Sequence, residues 1–330
     1  MNNTEQCQQV LPSLVINITD SCNLQCQYCP PYGENLAKGK QNFDIEVTER
    51  LIDLAKNAGI KLVRFTGGEP ILFPERVERL INRCGDFFKR LVLNTNGLLL
   101  AQNLYWLKNY KDRLILKISL DSIDAKEYND ITKHGELLIL LNNIDEAIRQ
   151  NFYVEINTVI YNQSPKSVID VIKFVLEKGI DMKLLTTSSF YDNIKTQNSV
   201  AVRVVYDWLN NNLQHNSSER LASGAGVSML SYSNGRNKVL LIDHAVRDSL
   251  TPNKLYFTFC KEKCSYYPCD SGALSITLST DGILTPCRGR KDLGTEVFSL
   301  GTQEVDIAFK KGLDYFKKCV EINLNGGQTI

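Results

Sequence analysis

Apolar and polar positions follow two different rhythms along the first 190 residues. Short runs rich in Val, Ile and Leu alternate with longer stretches in which apolar residues recur every three or four positions. The short runs are typical of buried parallel strands, and the longer stretches are typical of amphipathic helices packed on them. The pattern predicts six strand–helix units, with strands near residues 14–18, 61–66, 90–96, 114–122, 154–160 and 181–189.

Proline and glycine mark several of the predicted helix ends. Pro74 and Pro165 stand at the start of two helical stretches, and Gly59 and Gly179 stand at the end of two. These are the positions that each residue type favours. Right-handed crossovers would curl six such units into a partial (βα)6 barrel of the α/β class, open or closed. Functional side chains of parallel barrels lie at the C-terminal ends of the strands.

The rhythm changes after about residue 196. A helix is predicted at 200–213, and the Ser-, Gly- and Asn-rich stretch 216–237 predicts a loop. A region with four cysteines follows at 260–287. We therefore expect an N-terminal extension, a core barrel, a helix with a variable linker and a small C-terminal auxiliary domain, at residues 1–13, 14–195, 196–259 and 260–330.

Charge and hydropathy limit the kinds of partner. The 330 residues include 38 Lys and Arg against 37 Asp and Glu, so no basic field favours nucleic acid or an anionic membrane. We find no apolar run that could span a bilayer and no secretory leader, and we expect a cytoplasmic protein. Because the cytosol keeps thiols reduced, the ten cysteines are better explained by metal binding than by disulfides.

Three cysteines crowd a short loop just after the first predicted strand. Cys22, Cys26 and Cys29 have the spacing Cys-x3-Cys-x2-Cys. Three thiolates can bind three irons of a [4Fe–4S] cluster and leave the fourth iron open to another ligand. A zinc site completed by a distant residue and a set of free thiols are the alternatives.

The segments "CNLQCQYC" and "TGGEP" (66–70) together resemble the radical S-adenosylmethionine (radical SAM) superfamily. The resemblance implies that Cys22, Cys26 and Cys29 hold the catalytic [4Fe–4S] cluster and that its open iron binds SAM. In this family the reduced cluster cleaves SAM, and the 5′-deoxyadenosyl radical takes a hydrogen atom from a substrate. It also implies an electron donor such as flavodoxin or ferredoxin.

The same resemblance suggests which residues contact SAM. Gly67 and Gly68 would let the backbone approach its methionyl part, and Glu69 would bind its ammonium. Tyr28 would cover the adenine. Further contacts at later strand ends are predicted for Ser119, Asp121 and Asn157. A turn into the next helix is the alternative for Asp121, and a hydrogen bond to a neighbour is the alternative for Asn157.

The segment from 116 to 160 and the two motifs above resemble the molybdenum-cofactor GTP cyclase branch in particular. Arg64 and Thr95 match substrate contacts of that branch. Four other positions, which are arginine or lysine in the cyclase, do not match it: Ser21, Glu155, Ser275 and Thr277. Because lost cations and a gained carboxylate weaken the recognition of a triphosphate, we expect GTP to be a poor substrate.

The second group of cysteines comprises Cys260, Cys264, Cys269 and Cys287. The spacing Cys269-x12-Gly282-x4-Cys287 resembles the start of the auxiliary-cluster domain called SPASM, or of its shortened twitch form. Four thiolates would close a second, auxiliary [4Fe–4S] cluster. A structural zinc site is the alternative.

The expected function is therefore that of a radical SAM enzyme acting on a small metabolite such as a nucleotide, sugar or amino acid derivative. The alternatives are a GTP 3′,8-cyclase, a peptide-modifying enzyme and a non-catalytic iron–sulfur or zinc-binding module. Because the first predicted strand comes almost at once, we expect no N-terminal peptide-recognition domain, and this expectation favours a small metabolite over a peptide. Glu69 and the open iron favour an enzyme over a binding module.

Overall fold

The computed structural model describes residues 11–29, 43–186, 199–220, 228–241, 275–287 and 291–326. Within these ranges the strands are β1 Ser13–Asn17, β2 Leu62–Thr66, β3 Arg90–Thr95, β4 Leu114–Ser119, β5 Tyr153–Ile160, β6 Asp181–Thr186, β7 Gln214–Arg220, β8 Ser228–Ser233, β9 Lys238–Leu241, β10 Ser275–Leu278, β11 Ile283–Thr285 and β12 Thr295–Glu296. The helices are α1 Ile45–Asn57, α2 Pro74–Cys84, α3 Leu104–Leu107, α4 Ala125–Thr132, α5 Leu137–Arg149, α6 Pro165–Glu177, α7 Ser199–Asn212 and α8 Thr302–Gly326, with short 3-10 turns such as Pro70–Leu72.

Strands β1 to β6 are parallel and lie side by side in chain order. The predicted α/β class and the six consecutive units are thus confirmed. The described strands form an open sheet in the order β12-β11-β10-β1-β2-β3-β4-β5-β6-β9-β8-β7. Strand β10 continues it parallel to β1 and β9 continues it parallel to β6, so the barrel is not closed by the strands that the structure describes.

The two faces of the parallel strands have opposite character. One face packs against the helices and is fully buried, with Leu14 and Ile16 on β1 and Val63 and Phe65 on β2 as examples. The alternate positions face away from the helices and carry many polar side chains. Alternation along a strand puts all these polar side chains on one concave inner face.

The prediction of a loop over 216–237 is wrong, because β7 and β8 occupy much of it and β8 pairs with both β7 and β9. Tyr232 on β8 and Val239 on β9 are buried and continue the hydrophobic core beyond β6, and Met229 on β8 is buried as well. Small polar residues between these apolar positions concealed a strand pattern in the sequence.

The C-terminal residues extend the same sheet at its other edge. The hairpin of β10 and β11 docks beside β1, and α8 packs against α1, where Arg50 and Asp306 form an ion pair. The proposed boundary at residue 260 stays a prediction. None of the described helices has both the length and the apolar character needed to cross a bilayer.

Candidate active site at the ends of the parallel strands

The cysteine loop leaves β1 and is held in place by the last turn of α4. The backbone N–H groups of Gln25 and Gln27 donate to the carbonyl oxygens of Thr132 and Ile131, both at 2.9 Å. The side chain of Gln27 also donates to the carbonyl oxygen of Asp130 at 2.8 Å. The N–H groups of the irregular loop are therefore paired with free carbonyl oxygens at the end of a helix, and these hydrogen bonds fix the position of the loop.

The three thiols of this loop lie close enough for their charges to interact. Burial, followed by negative charge on Asp121, Cys29 and Cys22, raises the pKa of Cys26 to about 12. Cys22 and Cys29 are exposed. Burial also raises the pKa of Cys22, so without metal the thiols of Cys22 and Cys26 would be protonated at neutral pH, whereas bound metal deprotonates a coordinating thiol.

Two N–H groups point at the sulfur of Cys22. The backbone N–H of Leu24 lies 3.4 Å from this sulfur, and the side-chain amide of Asn96 lies 3.8 Å from it. The same amide donates to the side-chain oxygen of Asn23 at 2.7 Å. Such donors orient a thiolate ligand and stabilise its charge, so the loop fits an iron–sulfur cluster. Sequence reasoning missed Asn96, which directly follows β3.

Among the described residues, no group of three or more His, Cys, Asp or Glu forms a site for a single metal ion.

The Gly67–Gly68 pair permits a very close approach between two backbone segments. The N–H of Gly68 donates to the carbonyl oxygen of Thr19 at 2.6 Å, and the N–H of Glu69 donates to that of Ser21 at 2.8 Å. A Cβ atom on Gly67 or Gly68 would lie 2.2 Å from one of these two oxygens. The glycines thus bring the end of β2 against the start of the cysteine loop. Their predicted contact with SAM stays a prediction.

Glu69 is completely buried and accepts three hydrogen bonds. Its Oε1 accepts from the N–H of Ile71 at 3.1 Å and from the hydroxyl of Thr95 at 2.9 Å, and its Oε2 accepts from the N–H of Asn96 at 2.6 Å. Burial raises the pKa of Glu69 to about 7 despite these donors. No Lys, Arg or His of the described segments forms an ion pair with it. A buried carboxylate without a cation fits the predicted role of binding an ammonium group, which stays a prediction.

Tyr28 and Asp121 connect the cysteine loop to β4 and β5. The hydroxyl of Tyr28 donates to Asp121 at 2.6 Å, and the N–H of Val159 donates to the second oxygen of Asp121 at 2.8 Å. Burial raises the pKa of Asp121 to about 6, and the side chain is only 2% exposed. Asp121 therefore has an anchoring role, and a contact of either residue with SAM stays a prediction.

The inner face carries a group of charged side chains that we call the inner cluster: Arg64, Lys117, Glu155 and Lys183. Lys117 and Glu155 are paired across β4 and β5 and form an ion pair that is only 11% and 14% exposed. Burial, followed by the positive charges of Lys117 and Arg64, lowers the pKa of Lys183 to about 7. Lys117 and Lys183 were missed from the sequence, although both occupy inward positions of predicted strands.

The remaining predicted residues fall around this face or outside the described residues. Ser119 is the register partner of Asn157, and Asn157 is the register partner of Lys183. The hydroxyl of Thr95 donates a hydrogen bond to Glu69 and accepts one from the N–H of Gly97. Contacts of Ser119, Asn157 and Thr95 with ligands stay predictions.

The second cysteine group is described only at Cys287, which is buried just after β11. Cys260, Cys264 and Cys269 lie outside the described residues, so their common site stays a prediction. Ser275 and Thr277 lie on β10, and Thr277 and Arg64 are both register partners of Val15.

The sequence of the parallel strands and the cysteine loop matches a known protein superfamily. The family model of the radical SAM superfamily matches residues 16–186, which run from the end of β1 through β6 and include the cysteine loop. The chain belongs to the radical SAM superfamily.

Curated relatives carry the name of a particular activity. A GTP 3′,8-cyclase of Alkaliphilus oremlandii is 35% identical over 177 residues, or 52% of this chain and 54% of the relative. A GTP 3′,8-cyclase of Synechocystis is 30% identical over 174 residues, or 52% of this chain and 53% of the relative. The chain thus spans about half the length of these two relatives. A probable GTP 3′,8-cyclase of Methanococcus aeolicus is 25% identical over 319 residues, or 93% of this chain and 97% of the relative.

Solved structures share the fold at lower identity. SuiB of Streptococcus suis bound to the precursor peptide SuiA has a TM-score of 0.65 and 18% identity, covering 93% of this chain and 67% of SuiB. The enzyme anSMEcpe with bound AdoMet and a Kp18Cys peptide has a TM-score of 0.61 and 17% identity, covering 93% of this chain and 83% of that protein. These likenesses show a common fold.

We expect Gly68→Ala to separate the cysteine loop from the end of β2. The new Cβ would meet the carbonyl oxygen of Ser21, so the backbone has to move by an ångström or so and the N–H of Glu69 loses its partner. The free energy of unfolding should fall by about 1–3 kcal/mol, and iron bound after anaerobic reconstitution should drop. Urea unfolding and iron analysis measure both effects.

Gly312→Ala is the matched control, because its Cβ would lie 3.9 Å from Pro286 and the helix α8 favours alanine over glycine. This variant should keep all its iron. Unchanged iron and stability in Gly68→Ala would contradict the role assigned to the close approach.

Proposed function

We propose that this protein reductively cleaves SAM at a [4Fe–4S] cluster held by Cys22, Cys26 and Cys29, and that it uses the resulting 5′-deoxyadenosyl radical to take a hydrogen atom from a small metabolite. The observation that carries the proposal is the three-thiol loop clamped beside the buried carboxylate of Glu69. A loop with three ligands suits an iron that must stay open, and the carboxylate suits the ammonium of SAM. Membership of the superfamily supports both.

The cluster and SAM supply the radical, and the residues of this chain position them. The N–H groups of Leu24 and Asn96 orient and stabilise the thiolate of Cys22. Glu69 would hold the methionyl part of SAM through its ammonium, and Tyr28, fixed by Asp121, would cover the adenine. Ser119 and the side-chain N–H of Asn157, on adjoining strands, would complete the contacts with SAM and leave the side-chain oxygen of Asn157 free.

The cluster needs an external electron, which a small redox protein such as flavodoxin or ferredoxin would supply. Cys22 and Cys29 are exposed, so the cluster they hold would lie within reach of such a donor. We assign Cys260, Cys264, Cys269 and Cys287 to an auxiliary [4Fe–4S] cluster with four protein ligands. A closed cluster of this kind suits electron transfer late in turnover, which zinc could not perform.

GTP cyclisation is the second candidate, because the curated relatives that match the barrel carry that activity in their names. Arg64 and Thr95 agree with it. Glu155 opposes it, since its carboxylate sits on the inner face and is already paired with Lys117. Ser21, Ser275 and Thr277 offer no charge to a triphosphate. A smaller substrate is therefore the better proposal.

Replacing Cys22, Cys26 and Cys29 together by Ala should abolish the reductive cleavage of SAM. The iron content should fall by about four per chain, and about four irons should remain in the auxiliary cluster. Liquid chromatography of 5′-deoxyadenosine under dithionite, metal analysis and Mössbauer spectroscopy measure these quantities.

Cys84→Ala is the matched control, since Cys84 is buried in α2 away from the loop. It should retain both clusters and SAM cleavage. Persisting 5′-deoxyadenosine formation in the triple variant would refute the proposed function. Stoichiometric zinc without iron in that variant would instead refute only the auxiliary cluster.

Reconstituted, reduced protein supplied with GTP and SAM should form 5′-deoxyadenosine no faster than without GTP. The physical reason is that Glu155 repels the triphosphate and that the expected cations are missing at Ser21, Ser275 and Thr277. Mass spectrometry should detect no cyclised GTP, with an authentic GTP 3′,8-cyclase as the positive control. A cyclised product formed over many turnovers would make the second candidate correct.

A further inference from the structure

We propose that the inner cluster binds the anionic group of the substrate, a carboxylate or phosphate borne by a small molecule that also carries hydroxyl or amino hydrogen-bond donors. The inference rests on the proposed function, because it names the substrate class of that same site. It is drawn from the charges and the unpaired oxygens on the inner face.

The inner cluster holds three basic side chains and one acidic one. Glu155 is already engaged by Lys117, so the positive charge of Arg64 and Lys183 is left without a carboxylate in contact. Within the part of the chain that the structure describes, neither side chain has a hydrogen bond or ion pair. Positive charge gathered in a partly buried space is unfavourable until an anion enters it. The site is thus prepared for one.

Three asparagines surround the cluster with unused acceptors. The side-chain oxygens of Asn17, Asn94 and Asn157 are buried and have no hydrogen-bond partner among the described residues. Buried acceptors are almost always paired, so these three call for donors from a ligand. They therefore specify hydroxyl or amino groups beside the anion.

The sheet register brings the acceptors next to the charges. Asn94 is the register partner of Lys117, and Asn157 is that of Lys183. Asn17 lies two positions after Val15, the register partner of Arg64. Because adjacent strands are about 4.8 Å apart, a molecule of a few carbons can reach a cation and an asparagine oxygen at once.

The geometry also sets a limit on the charge of the ligand. Glu155 lies between Lys117 and the strand that carries Lys183. The carboxylate of Glu155 therefore repels each extra negative charge on a ligand. One carboxylate or phosphate satisfies the uncompensated positive charge, whereas a triphosphate exceeds it.

Binding of an anion beside Lys183 should be accompanied by the uptake of protons. Burial, followed by the charges of Lys117 and Arg64, lowers the pKa of Lys183 to about 7, and Glu155 opposes this shift. Asp181, on the same strand, accepts instead from Tyr153 and from the N–H of Lys238. A bound anion favours the ammonium form and raises the pKa of Lys183. Binding near pH 8 should therefore take up protons, and affinity should fall as the pH rises above 7.

The test is isothermal titration calorimetry on the anaerobically reconstituted, unreduced protein saturated with SAM. The probes are glycerate, glycerol 3-phosphate and glycerol, which share hydroxyl groups but differ in their anionic group. Titrations in HEPES and in Tris at pH 8 give the number of protons taken up. We expect one or both anions to bind at millimolar concentration with proton uptake, and glycerol not to bind. The stronger of the two anions identifies the carboxylate or phosphate class.

Variants of Lys183 separate a direct contact from a structural role. Lys183→Met should weaken anion binding about tenfold or more. Lys183→Arg should retain most of the binding but lose the proton uptake, because a guanidinium stays charged at pH 8. Lys166→Met removes an exposed lysine of α6 and serves as the matched control, with binding like that of the wild type.

Several results would overturn the inference. They are equal binding of glycerol, wild-type affinity in Lys183→Met, the absence of binding for both anions, and binding that occurs only when SAM is omitted. The last result would assign the inner cluster to SAM itself.

SAM cleavage by the reduced wild-type protein without probes is measured in parallel. Its absence would refute the proposed function, while the calorimetric result, obtained without reductant, would still decide the binding of the anion.

Discussion

The buried carboxylate of Glu69 is the contact on which the rest of the site depends. It accepts hydrogen bonds from the end of β3, at Thr95 and Asn96, and from the turn that follows its own strand. The backbone N–H of Glu69 also reaches the carbonyl oxygen of Ser21. One residue thereby ties two strand ends to the start of the cysteine loop. Asn96, fixed by this carboxylate, then points its amide at Asn23 and Cys22.

Glu69 pays an electrostatic penalty for this position. Burial raises its pKa to about 7. Three hydrogen-bond donors oppose this shift by stabilising the ionised form, and no described cation adds to them. An arriving ammonium group would lower that pKa again and strengthen the network. The same logic applies with opposite sign to the inner cluster, where Lys183 is buried among cations. The two ends of the inner face thus favour ligands of opposite charge, a cationic group near the cysteine loop and an anionic group deeper in the sheet.

The sequence was informative wherever a local pattern decides the structure. Six buried strands, the helices between them and the three-cysteine loop were predicted because each depends on adjacent residues. The motif at 66–70 was also recognised, and the structure adds that its glycines permit the close approach of Thr19 and Ser21. That function depends on two segments distant in sequence, which periodicity does not reveal.

The parts that the sequence did not predict are contacts between elements. Helix α4 anchors the cysteine loop through backbone atoms, which carry no residue signature. Lys117 and Glu155 meet only because β4 and β5 adopt one register among several. Strands β7 and β8 were assigned to a loop, since Ser and Asn dominate a stretch that is stabilised by pairing at the sheet edge.

The most direct test of the role of Glu69 is the dissociation constant of SAM for anaerobically reconstituted Glu69→Gln. A glutamine replaces one acceptor oxygen by an amide that faces an N–H or hydroxyl donor, and it has no charge for the ammonium of SAM. Glu75→Gln, on the exposed start of α2, is the control. We expect SAM to bind at least about tenfold more weakly to Glu69→Gln than to the control. Equal dissociation constants for the two variants would contradict this expectation.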